Sequence, residues 1–327
     1  MIKAQLSKAK FVLGISPEVE TTENYRDFIP EPYSSVVLIS ADFELAWAWR
    51  YSKGSENSYE QSLLKARQER RNVPKILSLC EQYNIPITWA TVGHLFLESC
   101  EKKGGMVHPE MPRLPHFENR YWKFEGEDWY EYDPGSNYLD APEWYCPDLI
   151  KQIKQARVAH EMACHTFSHI DCQDGICPPK LMRAELEKCK ELAEKEGFRL
   201  SSFVHPGHTI GNLEVLKEQG FTNYRTNNRN VLGYPIERGE GFWELEQTAE
   251  FNIRPEWSAK YHVKRYKQLI KRSIKTNTLC VFWFHPSFDD LMVDKVWPEV
   301  FEYLDQMRDK VWITTHEKYF EFLNNKH

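Results

Sequence analysis

The 327-residue sequence predicts an α/β protein, a distorted, incomplete (β/α) barrel of seven strands. Three observations point to it. Short apolar runs alternate with segments of helical period, the order that gives strands joined by covering helices. Four of the strand-like runs end in residues able to bind or react: Asp42-Phe43-Glu44, Cys164-His165-Thr166-Phe167-Ser168-His169, His205-Pro206-Gly207-His208 and Phe284-His285-Pro286. Polar strand ends belong on the carboxyl rim of such a sheet, where barrels carry their sites. Finally, the length exceeds the usual single-domain size but suits one α/β barrel with insertions.

The strands are expected at residues 35–42, 86–92, 159–164, 201–205, 222–226, 279–285 and 311–314. The first contains Val36-Val37-Leu38-Ile39, a continuous apolar run of the kind a strand buried on both faces needs. Between strands, Leu63, Leu64, Val73, Ile76, Leu77 and Cys80 recur at helical steps, as do Leu181, Leu186, Cys189 and Leu192 before Gly197. A shorter helix from Asn212 is stopped at Gly220. Residues 102–147 break this rhythm. They are dense in Pro, Gly and aromatic residues, and two uses fit: a wall of a binding cleft with Trp122, Trp129, Trp144 or Tyr145 presenting a ring, or an aromatic core packed on itself. Residues 234–257 are similarly mixed and read as the opposite wall. The domain plan is an N-terminal extension 1–34, a catalytic domain 35–320 holding the insertion 102–147, and a C-terminal tail 321–327.

Composition narrows the partners. Hydrophobic residues at 41% and charged residues at 28% are ordinary for a globular chain. A formal net charge of -6 with no recurring basic block excludes a nucleic-acid backbone as partner. The one basic run, 262–272, has helical spacing and reads as a solvated face, with a weak peripheral contact to anionic lipid as the other reading. The first ten residues lack the apolar stretch of a secretory leader, and no run is long enough to form an integral membrane segment, so a cytoplasmic protein is expected. Eight cysteines are too sparse for a disulfide scaffold, and Cys172 and Cys177 have no second pair nearby to complete a zinc knuckle.

His165 and His169, four residues apart, are half of a divalent metal site, and a carboxylate would complete it. Alternation along a strand sends Asp42 and Glu44 to the same side, so either can reach one cavity. Two imidazoles and a carboxylate leave coordination positions open on an ion, the arrangement that acidifies bound water and polarises a carbonyl.

In order along the chain, Ser40-Ala41-Asp42-Phe43-Glu44, His165-Thr166-Phe167-Ser168-His169, Phe203-Val204-His205-Pro206 and Phe282-Trp283-Phe284-His285-Pro286 resemble the motifs of the polysaccharide deacetylase family. The likeness runs from about residue 35 to 320 and takes in Ile85 to His94 and Val311 to Thr315. The resemblance implies hydrolytic N-deacetylation of an acetamido sugar with a divalent metal, zinc by preference. It assigns Asp42 as general base, Glu44, His165 and His169 as metal ligands, and His285 as the acid that protonates the leaving amine. Two departures stand out. The family's adjacent aspartates are replaced by a DxE arrangement, and the arginine usual beside the middle proline is absent, with Arg225 as its candidate replacement. His205, His208, Arg225 and Trp144 are the candidate substrate-binding residues. A carbohydrate or sugar-linked small molecule is the expected substrate, and a cytoplasmic location favours a nucleotide- or lipid-linked precursor. The alternatives are hydrolysis of another non-peptide carbon-nitrogen bond, in a cyclic amide or ureide, and a non-catalytic glycan-binding module on the same fold.

Overall fold

Along the strand Ser35–Phe43 the side chains alternate between two buried faces, and this alternation organises the whole molecule. Val37, Ile39, Ala41 and Phe43 join the main core beneath the helices, while Val36 and Leu38 join a second core inside the curl of the sheet. The computed structural model describes residues 6, 9–11 and 16–326.

The sheet has ten strands. Its order is Ile236–Glu237, Trp243–Glu246, Asn223–Thr226, Ser202–Val204, Glu161–Cys164, Thr88–Thr91, Ser35–Phe43, Leu279–Phe284 and Ala249–Glu250, with Val311–Thr314 also paired to Ser35–Phe43. Every pairing is parallel except that of Ile236–Glu237 with Trp243–Glu246. Register sets the functional rim. Ala41 lies opposite Phe284, Asp42 opposite Ala90, Thr91 opposite Cys164 and Val204 opposite Arg225, so the carboxyl ends of these strands finish at a common level.

The inward row changes character from bottom to top. At the bottom, Val36, Leu38, Leu245 and Val281 pack on Tyr319, Phe320 and Leu323 of the helix His316–Lys326, which closes that end. Midway, Thr88 donates to Glu161 Oε2 at 2.7 Å and Asn223 donates to Ser202 Oγ at 2.9 Å. Small side chains follow at Ala90, Ala163 and Val204, opposite which stand Asp42, level with Ala90, and Arg225, level with Val204, while Ser40 lies one step lower opposite Thr88.

All seven expected strands are present, within a few residues of their expected bounds. Three expectations are corrected. Residues 234–257 are not irregular: they supply three further strands of the sheet, and Gln247 and Glu250 among them do line the cleft as expected of a wall. Of the expected C-terminal tail, residues 321–326 belong to the closing helix, which runs through Lys326 and buries Leu323; residue 327 lies outside the described residues. The described part of 1–34 is built into the fold, since Glu18–Val19 pairs with Val231–Leu232 and Ile29 is buried in the lower core.

The helix Ser58–Tyr83 begins at Asn57, whose side chain accepts the Glu60 N–H at 3.2 Å, and ends at Asn84 in the left-handed region. The basic run lies in the helix Ala259–Thr276, with Val263, Tyr266, Leu269 and Ile270 buried on one face. No helix of the described residues is long and apolar enough to cross a membrane. The insertion 102–147 is irregular apart from a small hairpin of Phe117–Glu118 with Lys123–Phe124. Trp122, Trp129, Trp144 and Tyr145 are all buried, so none presents the exposed ring expected of it; Trp129, Trp144 and Tyr145 pack with Tyr130 in a self-packed aromatic core, and of the four only Trp122 reaches the cleft wall.

Candidate active site

Glu44 sits one residue beyond its strand, where Leu45 turns the chain sharply at φ 48°. The turn is held from the side: the N–H groups of Glu44 and Leu45 donate to Glu69 Oε1 and Oε2 at 3.0 and 3.2 Å. Burial, then the charge of Glu44, pushes the Glu69 carboxyl well above its ordinary range. Three residues further along the same helix, Asn72 donates to the carbonyls of Pro286 and Phe288 at 2.8 and 2.9 Å and so fixes the loop carrying His285. Residues three apart share a helix face, which lets one helix grip both rim loops.

His165 and His169 lie on the loop after Glu161–Cys164. Thr166 and His169 both adopt φ 59°, folding the loop so that the two imidazoles meet Glu44 Oε1, at 2.9 Å from His165 Nε2 and 3.1 Å from His169 Nε2. Glu185 secures this loop by accepting from both the N–H and the hydroxyl of Ser168 at 2.8 Å. His165 Nδ1 donates to the Val204 carbonyl at 2.7 Å, which leaves the Nε2 lone pair of a neutral ring for a ligand.

Asp42 Oδ2 accepts from Arg225 Nη2 at 2.7 Å, and Arg225 Nη1 also reaches Ser40 Oγ at 2.8 Å while its guanidinium lies 4.7 Å from the Trp283 ring centroid. Burial raises the Asp42 carboxyl, but Arg225, then His165 and His285, outweigh it and hold it below its usual value. Glu44 is likewise held well below its ordinary value against burial, by His285, His169 and His165. His285 Nε2 is 3.5 Å from Glu44 Oε2, with Trp49, Trp283 and Phe288 around its ring.

These groups meet at a cleft of about 630 Å³ lined by Asp42, Glu44, His169, His208 and His285, by the rings of Trp49, Tyr121, Trp122 and Trp283, and by Glu250. Lys53 and Arg120 stand among its lining residues and are exposed. Glu44, His165 and His169 present ligand atoms all within 4.8 Å of one another, as do Asp42, Glu44 and His285. Asp42 Oδ1 and Glu44 Oε2 are buried without a protein hydrogen-bond partner. Orphaned carboxylate oxygens beside an imidazole whose lone pair is free are a donor set that fits a divalent cation.

Three of the four candidate substrate-binding residues do not line the cleft. Trp144 is buried edge-on against Trp47, at 5.3 Å between centroids, and its carbonyl accepts from Trp47 Nε1 at 3.3 Å. His205 is buried between Phe203 and Tyr224, with Nε2 3.1 Å from the Gly211 carbonyl. His208 does line the cleft, and Arg225 lies behind Asp42 in contact with it. Sequence reasoning missed Glu69, Asn72, Trp49, Trp283 and Glu250. Only Trp283 carried a signal, as the residue facing opposite to Phe282 and Phe284 in its strand.

Fold and rim together define a barrel hydrolase. Residues 65–224 match the model of the family described as polysaccharide deacetylase. Solved structures of similar fold include an assigned polysaccharide deacetylase from Mycobacterium smegmatis, with 15% identity, TM-score 0.60 and coverage of 91% of this chain and 93% of that one. Another, from Pseudomonas aeruginosa PAO1 and assigned likewise, has 13% identity, TM-score 0.62 and coverage of 92% and 94%. Puue allantoinase has 14% identity, TM-score 0.61 and the same coverage, 92% and 94%. No functionally curated protein matches the chain in sequence. The family match takes in just under half of the chain, and with the shared fold it supports a hydrolase of non-peptide carbon-nitrogen bonds similar to the polysaccharide deacetylases.

Proposed function

We propose that this protein removes the acetyl group from an acetamido sugar carried on a nucleotide- or lipid-linked precursor in the cytoplasm. The observation that carries the reading is the convergence of His165, His169 and Glu44 beside an Asp42 already paired with Arg225, inside a cleft bounded by indole rings. Glu44, His165 and His169 would hold a divalent cation, zinc by preference. When bound, that cation supplies Lewis acidity and makes water a better nucleophile near neutral pH.

The chain's own residues divide the remaining work. Asp42, kept ionised and oriented by Arg225, takes the proton of the attacking water. His285 gives a proton to the departing nitrogen, since an amide anion is too poor a leaving group. Trp122 and Trp283 offer apolar ring surface for the C–H face of a pyranose, while Arg120 favours a substrate with an anionic tail, Lys53 being paired with Glu118.

The test is acetate release measured over N-acetylated sugars, free, nucleotide-linked and polymeric, with zinc present and after chelation. Acetate appearing in step with free amine supports the reading. Turnover of a cyclic amide or ureide without acetate would move the protein to the alternative hydrolysis, and sugar binding with no turnover of any substrate would make it a binding module.

A further inference from the structure

None of His94, Cys100, His108 and Asp133 lines the cleft, yet their side chains converge on one point inside the insertion. Each presents one ligand atom, all within 4.8 Å of one another. His94 Nε2 is 2.8 Å from Asp133 Oδ2 and 3.0 Å from His108 Nε2. His108 Nε2 is 3.4 Å from Asp133 Oδ2, while Cys100 Sγ is 3.5 Å from Asp133 Oδ2 and 4.0 Å from His94 Nε2. Ligand atoms arranged tetrahedrally around zinc stand roughly 3.3 to 3.6 Å apart, given its bond lengths to nitrogen, oxygen and sulfur, and the observed spacings bracket that range.

Hydrogen-bond accounting points the same way. His94 Nδ1 lies 3.2 Å from the Trp144 carbonyl, which can only accept, so the proton of a neutral ring is on Nδ1. Its Nε2 lone pair then faces a buried carboxylate oxygen and a second imidazole nitrogen. Asp133 Oδ1 is already served by the Tyr145 hydroxyl at 2.8 Å and the Gly135 N–H at 2.9 Å, leaving Oδ2 for the shared point. Lone pairs aimed at one point from several sides call for a cation, and ligands held from behind by a carbonyl, a phenol and an amide have the outer support of a built metal site.

We propose that His94, Cys100, His108 and Asp133 bind a zinc ion in a closed, four-ligand structural site, separate from the rim site. The ion cross-links the turn after the strand Thr88–Thr91 to two distant points of the insertion. It thereby holds in place the segment that brings Trp122 against His169, at 5.0 Å between ring centroids. Two imidazoles, a thiolate and a carboxylate form a mixed set that suits zinc better than magnesium or calcium.

The experiment loads chelator-stripped full-length protein with cobalt(II). The rim set contains no sulfur, so a thiolate-to-cobalt charge-transfer band in the near ultraviolet reports the insertion site alone. The band is expected in the intact protein and in His165→Ala, and is expected to vanish in Cys100→Ser. Zinc content should fall by about one equivalent per chain in Asp133→Asn relative to the parent. An intact cobalt-loaded protein without the band overturns the proposal, as does a band that persists in Cys100→Ser. An ion-free pairing of His94 with Asp133 is the arrangement either result would leave standing.

Discussion

Two histidine–carboxylate sets in this molecule differ in what surrounds them. At the rim, His169 and Glu44 line the wall of a cleft with His165 buried behind them, and two carboxylate oxygens are left without protein hydrogen-bond partners. In the insertion, Asp133 is closed in by Tyr145, Gly135, Cys100 and two imidazoles, with its side chain fully buried. Both sets direct an imidazole by hydrogen-bonding its far nitrogen to a backbone carbonyl, Val204 in one case and Trp144 in the other. The local device is shared, and access separates chemistry from structure: an open rim leaves room for a reacting molecule, and a closed shell leaves room only for an ion.

Substitutions should break the two sets in different currencies. The largest effect is expected for Asp42→Asn, which should lower kcat on the order of a hundredfold to ten-thousandfold while the protein stays folded, the amide oxygen still able to accept from Arg225. A parent-like rate would remove Asp42 from the base role. Asp133→Ala should do the opposite, costing about 3 to 5 kcal/mol of stability in urea because buried partners lose their counter-charge, with the loss in activity appearing in KM more than in kcat. Should kcat collapse with stability intact, the division between the sets is wrong.

A smaller effect is expected for His285→Ala, about a hundredfold on acetamide substrates and much less on activated esters, whose leaving groups need little protonation. Equal losses on both substrate types would show that His285 does not act as the acid. A carboxyl belonging to neither set calibrates the rest. Burial pushes Glu161 up to about 7 from an ordinary 4.5. Because the fold favours the protonated form, its contribution to stability is fully present below about pH 4.5 and is lost as pH rises through about 7. Glu161→Gln should therefore melt roughly a few degrees above the parent at pH 8 and lose that advantage at pH 4.5; parallel melting curves at both pH values would contradict this.

What the sequence disclosed follows from how local its signals are. Val36 to Ile39 is apolar without a break, and HxxxH is compact, so strand and imidazole pair could both be placed from a few neighbouring residues. Trp243-Glu244-Leu245-Glu246 alternates as a strand should, but Gly239, Gly241 and Pro235 beside it read as loop. Its outward charges are balanced only in three dimensions, by Arg238 on Glu244 and Arg229 on Glu246. Trp144 illustrates another limit: a ring that stacks on sugar and a ring that fills a loop core have the same composition, and burial alone tells them apart. The insertion set was least legible, since its ligands come from segments spread between residues 94 and 133 with no recurring spacing.

The grip of Glu69 and Asn72 on the two rim loops has a mechanical consequence. Because both tethers leave the same face of one helix, any slide or tilt of that helix carries the Glu44 turn and the His285 loop together. Thermal motion at the rim is then largely common-mode: the Glu44 carboxylate and the His285 imidazole drift as a pair, and the gap between them is gauged by a single turn of backbone rather than by the breathing of the whole barrel.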